Sequence, residues 1–243
     1  MKKYAILLSG VVFASLVFAA YLVVQNFTAR PVPVNPVLAG DGPSVVLMDF
    51  STPFSLTPPP EGWWKRKFFN QTAMKLAFAE QSGVKALRCE TSGSGSIFGR
   101  FTDVDIAAFP MLSWNWLVAQ PVVSNISETD KKGDDHPARL LLKFRDTQAN
   151  SQVMEIIWSN GALKPGQWKI IEDFPHYVAN GGNAASGENT NKWFNEKINL
   201  LDIYHTAFKR TDTPRLMSIA IFCDTDDTDA KSVAYFGKVT LGK

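Results

Sequence analysis

The sequence predicts an all-β fold, a single antiparallel β-sandwich or jelly roll, and three observations predict it. From Val45 onward the hydrophobic pattern has a period of mostly two, the spacing that sends alternate side chains to opposite faces of a sheet. The apolar runs are short and bounded by turn residues, as strands are. No helical pattern separates one run from the next, so the alternation that builds a parallel sheet is missing.

The elements follow in order. Met1, Lys2 and Lys3 precede Tyr4 to Val24, which holds no charged side chain and is long enough, at about 1.5 Å per residue, to cross a bilayer core of about 30 Å. Residues 1–25 therefore read as an uncleaved signal anchor, with cleavage after Ala19 as a signal peptide the competing reading. In either case the leading lysines send the rest of the chain across the membrane. The expected location is periplasmic, tethered to the inner membrane, or free in the periplasm if the segment is cleaved. Four prolines between Asn26 and Pro43 make residues 26–44 an extended spacer, which leaves residues 45–243 as the folded domain.

Within that domain "VVLMDF", "MKLAFAE" and "VKALRCETS" read as strands, the last two joined as a hairpin through Gln81-Ser82-Gly83. "MLSWNWLV", "ARLLLKF", "VMEIIW", "WKIIEDF", "LMSIAIFC" and "VAYFGKVTL" add further strands. "GSGSIFG" is a tight bend leading into another, its glycines too irregular for a dinucleotide site. One helix is predicted near the end. Asn199 caps it, Asp202 stands three residues on, and Leu200 or Leu201, Tyr204 and Phe208 share a face. Before it, "VANGGNAASGENTN" is polar and aperiodic, the composition of a mobile surface loop.

Composition excludes several functions. Of 25 basic residues two are Lys2 and Lys3, so the remainder balances the 23 acidic ones; a nucleic-acid partner normally requires a basic face. Cys89 and Cys223 are the two cysteines. They form a disulfide if their strands are neighbours in an oxidising compartment, or stay buried as free thiols. No Cys follows the apolar run, so no lipid anchor is expected. His136, His176 and His205 lie too far apart in sequence for a paired metal motif, and no nucleophile elbow or Walker loop is present.

The tryptophans divide by context. Trp114 and Trp116 share a face with Leu112 and Val118 against Ser113 and Asn115, the pattern of a core-facing strand. Trp63, Trp64 and Trp193 stand in polar, loop-like surroundings. Trp63 and Trp193 are accordingly candidates for a ligand platform, beside the ordinary role of a loop tryptophan in covering the core.

Two acidic groups remain. Asp224, Asp226, Asp227 and Asp229 fall within six positions, and carboxylates so spaced offer several of the six to eight oxygens a Ca²⁺ ion takes. The stretch departs from an EF-hand loop, with Asp229 where Gly belongs and Tyr235 where the bidentate Glu belongs. Asp134 and Asp135 precede the strand Ala138 to Phe144. If that strand runs antiparallel beside Leu216 to Cys223, both groups meet at one end of the sandwich with Arg139 between them. Such a cluster could be an ion-paired turn, a cation site, or a carboxylate pair for glycoside hydrolysis.

"LSWNW", "GDDHPARLLLKF", "EIIWSNG", "GQWKIIEDF" and "IAIFCDTDDTDAKSVAYFGKVTL", in this order, resemble the bacterial domain-of-unknown-function family 3047 over about Val45 to Leu241. The most specific elements are Gly133, Asp134, Asp135, Ala138 and Arg139, and the Asp224-Thr225-Asp226 turn followed by Tyr235 and Gly237. The family often has Asn at the position of Asp227 and a basic residue at that of Asn115. The resemblance implies an exported protein with a galactose-binding-like jelly roll, similar to that of carbohydrate-binding modules, and assigns no activity.

The expected function is a non-catalytic exported domain binding a carbohydrate or cell-envelope component through Asp134, Asp135, Arg139, Asp224, Asp226, Trp63 and Trp193. Asp224, Asp226, Asp227 and Asp229 are the expected ligands of any Ca²⁺, and no other cofactor is indicated. The alternatives are an envelope polysaccharide hydrolase using Asp135 with Asp224 or Asp226, and a protein-partner domain without a small ligand.

Overall fold

The computed structural model describes residues 34–243, so the expected signal anchor lies outside the described residues. Among these, no helix is long and apolar enough to cross a membrane. The strands are β1 (Val37–Leu38), β2 (Ser44–Met48), β3 (Trp63–Lys67), β4 (Lys75–Gln81), β5 (Val84–Ser92), β6 (Gly95–Asp105), β7 (Met111–Gln120), β8 (Arg139–Arg145), β9 (Ser151–Ser159), β10 (Trp168–Ile171), β11 (Phe174–Gly181), β12 (Phe194–Asn199), β13 (Arg215–Asp224) and β14 (Lys231–Gly242), with helix α1 (Leu200–Phe208) between β12 and β13.

They form a β-sandwich. One sheet has eight strands in the order β1-β6-β13-β8-β9-β11-β10, with β3 also on β6; the other has six in the order β12-β7-β14-β5-β4, with β2 also on β14. The core lies between them and takes alternate residues from each strand. Ile219, Ile221 and Cys223 of β13 face Leu112, Trp114, Trp116 and Phe236 across it, all buried. The crossings between sheets from β5 to β6 and from β13 to β14 lie at the same end, and Asp224 is paired with Gly95 there.

Several expectations change. The antiparallel rule has exceptions: β9 pairs in parallel with β11, and β1 with β6. Val37–Leu38 of β1 fall within the expected spacer. "WKIIEDF" is not one strand, because Glu172 (φ 49°) and Asp173 (φ 66°) reverse the chain and pair Ile171 with Phe174. A two-residue turn with both residues left-handed suits the twist of a hairpin, and neither residue is the Asn or Gly that would have marked it. Trp63–Lys67, read as loop-like, is β3 on the edge of its sheet. β12 went unrecognised behind the polar stretch. That stretch is held in place: Asn189 Nδ2 donates to Gly181 O at 2.6 Å and Asn191 N to Val118 O at 2.9 Å.

Cys89 and Cys223 are buried free thiols on strands of opposite sheets rather than neighbours in one. Burial, with the adjacent Cys89, pushes the Cys223 thiol well up.

Helix α1 forms where expected. The Asn199 side chain accepts from Leu201 N and Asp202 N, satisfying donors that the first turn leaves unpaired. Leu200 and Tyr204 are buried, and Tyr204 packs on Phe144 and Phe208 with ring centroids 5.1 Å apart in each case. Replacing the cap, Asn199→Ala, is expected to cost about 1 kcal/mol, or about 2 to 4 °C in thermal midpoint for a domain of this size. Calorimetry of the variant beside the parent measures it.

Candidate functional site

The antiparallel pairing of β8 with β13 sets Arg139 opposite Phe222 and brings both acidic groups to one end of the sandwich. Arg139 and Phe222 are on the face of the eight-stranded sheet turned away from the core. The guanidinium carbon sits 4.6 Å from the Phe222 ring centroid, a cation–π arrangement. Cross-strand pairing continues along this face from Leu141 to Glu155, His176 and Lys169. A row of charged groups thus runs over strands that are otherwise apolar.

These groups are buried, Arg139 to 1% and Glu155 to 2% exposure. Arg139 Nη1 donates to Glu155 Oε2 at 2.8 Å, and Nη2 to Asp224 Oδ1 at 2.6 Å and to the Asp134 carbonyl. Asp224 Oδ1 also accepts from His136 N at 3.1 Å. Lys169 Nζ donates to Asp134 Oδ1 at 2.5 Å and lies 3.2 Å from His136 Nε2. The partners assign the His136 tautomer. Its Nδ1 faces the Trp158 carbonyl at 3.0 Å, which can only accept; the hydrogen is on Nδ1, and Nε2 accepts from the lysine.

Electrostatics follow from these contacts. Burial would raise the Asp134 carboxyl, but Arg139 and His136 outweigh it and hold the group well below the usual carboxylate range. For Glu155 burial is likewise outweighed by Arg139, and the shift is downward. Burial raises the Asp224 carboxyl well above its ordinary value, and Asp135 adds to this against the pull of Arg139. Asp226 and Asp227 are raised by burial and by Asp135. Burial lowers His136 to about 4, Arg139 and Lys169 adding to the effect against Asp134.

Asp135 does a different job. It is fully buried and its oxygens accept from Asp227 N at 3.3 Å, Thr228 N at 2.7 Å and Thr228 Oγ1 at 2.5 Å. It therefore closes the β13–β14 turn. Gly93 and Gly95 make room for that turn: a Cβ on Gly95 would stand 2.8 Å from Asp226 Oδ1 and 2.9 Å from Asp224 Cβ, and one on Gly93 would strike Asp229 Oδ1. The expected bend in "GSGSIFG" serves this packing.

The expected residues separate accordingly. Asp134, Asp135, Arg139, Asp224 and Asp226 come together. The group among the described residues that brings one carboxylate oxygen from each member within 4.8 Å of the others is Asp135, Asp224 and Asp226, not the expected set of Asp224, Asp226, Asp227 and Asp229. Asp227 and Asp229 are exposed, because the turn directs them outward while Asp135 enters from the facing loop. Trp63 is remote: it stacks on Phe98 at 5.0 Å and packs against the core. Trp193 is half-buried, its Nε1 donating to Gln81 O at 2.9 Å. For hydrolysis, a substrate would have to displace the turn to reach Asp135.

Sequence reasoning missed Glu128, His136, Glu155, Asn160, Lys169 and His176. Glu155 and Lys169 did leave a signal, as lone charges inside the apolar strands "VMEIIW" and "WKII". Glu128 shows no pattern. Its carboxylate accepts from Ser159 Oγ at 2.7 Å, Asn160 N at 2.7 Å and Ala162 N at 2.6 Å, tying the segment before β8 to the turn after β9.

Between those two segments is a cavity of about 240 Å³, lined by Val122, Val123, Ser124, Ile126, Asn160, Ala184 and Thr228 among others. Asn160 Nδ2 donates to the Asp135 carbonyl at 2.8 Å, which fixes the amide orientation. Asn160 Oδ1 is buried with no hydrogen-bond partner among the described residues.

A family model described as "Protein of unknown function (DUF3047)" matches residues 61–240. No curated protein matches the chain. Among solved structures, the chain is similar to a family 30 carbohydrate-binding module of a cellulosomal cellulase from Clostridium thermocellum, at 11% identity and a TM-score of 0.44, over 82% of this chain and 97% of that one. It is also similar to a loop-swap mutant of Necallimastix patriciarum Xyn11A, at 10% identity and a TM-score of 0.40, over 84% and 97%. A third likeness is to the enzymatically active domain of bacteriophage CBA120 tailspike protein 4, at 9% identity and a TM-score of 0.38, over 74% and 19%.

The buried histidine generates a pH prediction. Below its ordinary value of 6.5 the unfolded chain protonates at His136, whereas the native state resists down to about 4. Stability from this group is therefore complete above about pH 6.5 and lost as pH falls toward 4. His136→Asn keeps a donor but cannot titrate. Its thermal midpoint should vary less with pH over that window than the parent's, and equal slopes would contradict the assignment.

Proposed function

Because the chain belongs to the DUF3047 family, whose description carries no activity, we propose a function from its own geometry: it is a non-catalytic β-sandwich that binds a carbohydrate in the cavity at its acidic end. The observation that carries this is Asn160 in the cavity wall, whose buried Oδ1 has no hydrogen-bond partner among the described residues. A buried acceptor without a partner costs free energy, and a ligand hydroxyl would satisfy it. The rim suits a sugar ring as well, since Val123 and Ile126 are 58% and 41% exposed beside the hydroxyls of Ser124 and Thr228. Such a mix of apolar surface and a few convergent polar groups is typical of small-ligand sites. The apolar, uncharged stretch Tyr4 to Val24 supports placing the domain outside the bacterial inner membrane, with an envelope glycan as its ligand.

The full chain applied to a glycan array, with hits followed by isothermal titration, tests this. Asn160→Ala should weaken a hit about tenfold, the loss of one buried hydrogen bond. A folded protein that binds no glycan, or a variant that binds as well as the parent, would sink the reading.

A second reading concerns the same end. One oxygen from each of Asp135, Asp224 and Asp226 lies within 4.8 Å of the others, close enough to share one cation at Ca²⁺–oxygen distances of about 2.3 to 2.6 Å. A cation there would offset both the burial and the repulsion from Asp135 that raise Asp224 and Asp226. Ca²⁺ at about 100 times its dissociation constant should add about 2.7 kcal/mol, several degrees in thermal midpoint. The shift should vanish in Asp226→Asn; no shift in the parent would leave the turn held by hydrogen bonds and Arg139.

A further inference from the structure

The outer face of the six-stranded sheet carries a second concave surface, separate from the cavity at the acidic end. It is a shallow depression of about 360 Å³ over β12, β7 and β14, to which Ser113, Asn115, Asn195, Lys197, Lys238 and Thr240 contribute. Register explains the grouping. Lys197 pairs with Ser113 and Ser113 with Thr240, while Asn195 pairs with Asn115, and directly paired residues point to the same side of a sheet. That side is opposite to Leu112, Trp114, Trp116 and Val118, which fill the core. Gly237 lies beneath Asn115, and a Cβ there would collide with the Asn115 amide; the glycine keeps the floor low.

Two features give this surface chemical character. The side chains of Ser113, Asn115, Asn195, Lys197 and Thr240 make no hydrogen bond or ion pair with another described residue, although Ser113, Asn115 and Thr240 are half-buried. Amide and hydroxyl groups able both to donate and to accept are thus presented together. One cation of the surface is also unpaired. Lys197 and Lys238 reach the surface, whereas Glu196, the one carboxylate in the lining, accepts from Trp116 Nε1 at 3.2 Å and Asn180 Nδ2 at 2.7 Å. Lys238 pairs with Asp49 at 2.8 Å, which leaves Lys197 as the cation without a partner among the described residues.

The geometry points to a binding face for an acidic polysaccharide, a chain whose hydroxyls meet the amide and hydroxyl array and whose carboxylates meet Lys197. A nucleic acid fits less well. The depression offers one unpaired cation, Lys197, rather than a basic stripe, and no aromatic side chain in its lining is exposed for bases to stack on, since Trp114 is 3% exposed.

The test is biolayer interferometry of the full chain on immobilised polygalacturonate, its fully methyl-esterified form and single-stranded DNA. Polygalacturonate should be bound, more weakly as salt rises, and the uncharged ester should not. Lys197→Glu, on an exposed side chain with no partner to lose, should weaken binding about fivefold. Asn160→Ala should leave it unchanged, so this face and the cavity fail or stand separately. No binding to polygalacturonate, equal binding to the ester, or full affinity in Lys197→Glu would overturn the proposal; tighter binding to DNA with the same Lys197 dependence would overturn the choice of polysaccharide.

Discussion

A guanidinium buried on the outside of a sheet is the constraint on which the acidic end depends. Arg139 belongs to a strand whose inward residues fill the core, so the β-pleat turns it away from that core, yet it is 1% exposed. Burial without compensation would be prohibitive. Compensation comes from three parts of the chain, Glu155 of β9, Asp224 of β13 and the Asp134 carbonyl, while Lys169 of β10 binds the Asp134 carboxylate. Each partner needs its own satisfaction in turn. Asp224 takes the His136 amide, and His136 takes Trp158 O and Lys169. A buried network of this kind is sensitive to the loss of any member, and it requires the segment before β8 to lie over the sheet.

That requirement shapes the cavity. With Asp134 and His136 held by the network and Asp135 closing the β13–β14 turn, the preceding segment has little freedom, and Glu128 secures it to the turn after β9. Asn160 is held at both its amides, by Glu128 and by the Asp135 carbonyl. A recognition group whose orientation is set before binding loses less entropy on meeting a ligand. The charged network thus supports the cavity rather than lining it.

The two outer faces of the sandwich differ for a related reason. That of the eight-stranded sheet is largely covered, by the segment preceding β8 over its charged row and by Trp64 and Phe68 packed with Ile97, Ala220 and Phe222. On the six-stranded sheet the outward residues of β12, β7 and β14 are polar, and the bridge from Trp193 to Gln81 joins chain segments at its two edges, leaving the depression above Gly237 open.

Local pattern by itself determined the β-sandwich, the inward face of Leu112, Trp114, Trp116 and Val118, and the helix capped by Asn199, because these follow from local periodicity and from hydrogen bonds within a few residues. It also carried enough direction to bring Asp134, Asp135, Arg139, Asp224 and Asp226 to one end, since antiparallel neighbours place the start of one strand beside the end of the other. Tertiary structure alone decided which side of the Asp-rich turn faces inward, replacing Asp227 and Asp229 by Asp135 in the compact carboxylate group. It likewise turned Trp63 into the core, paired β9 with β11 in parallel and made partners of Glu155, His176 and Lys169. The physical reason is shared: each of these depends on contacts between strands distant in sequence, and a side chain's own neighbours along the chain carry no record of what will be packed against it.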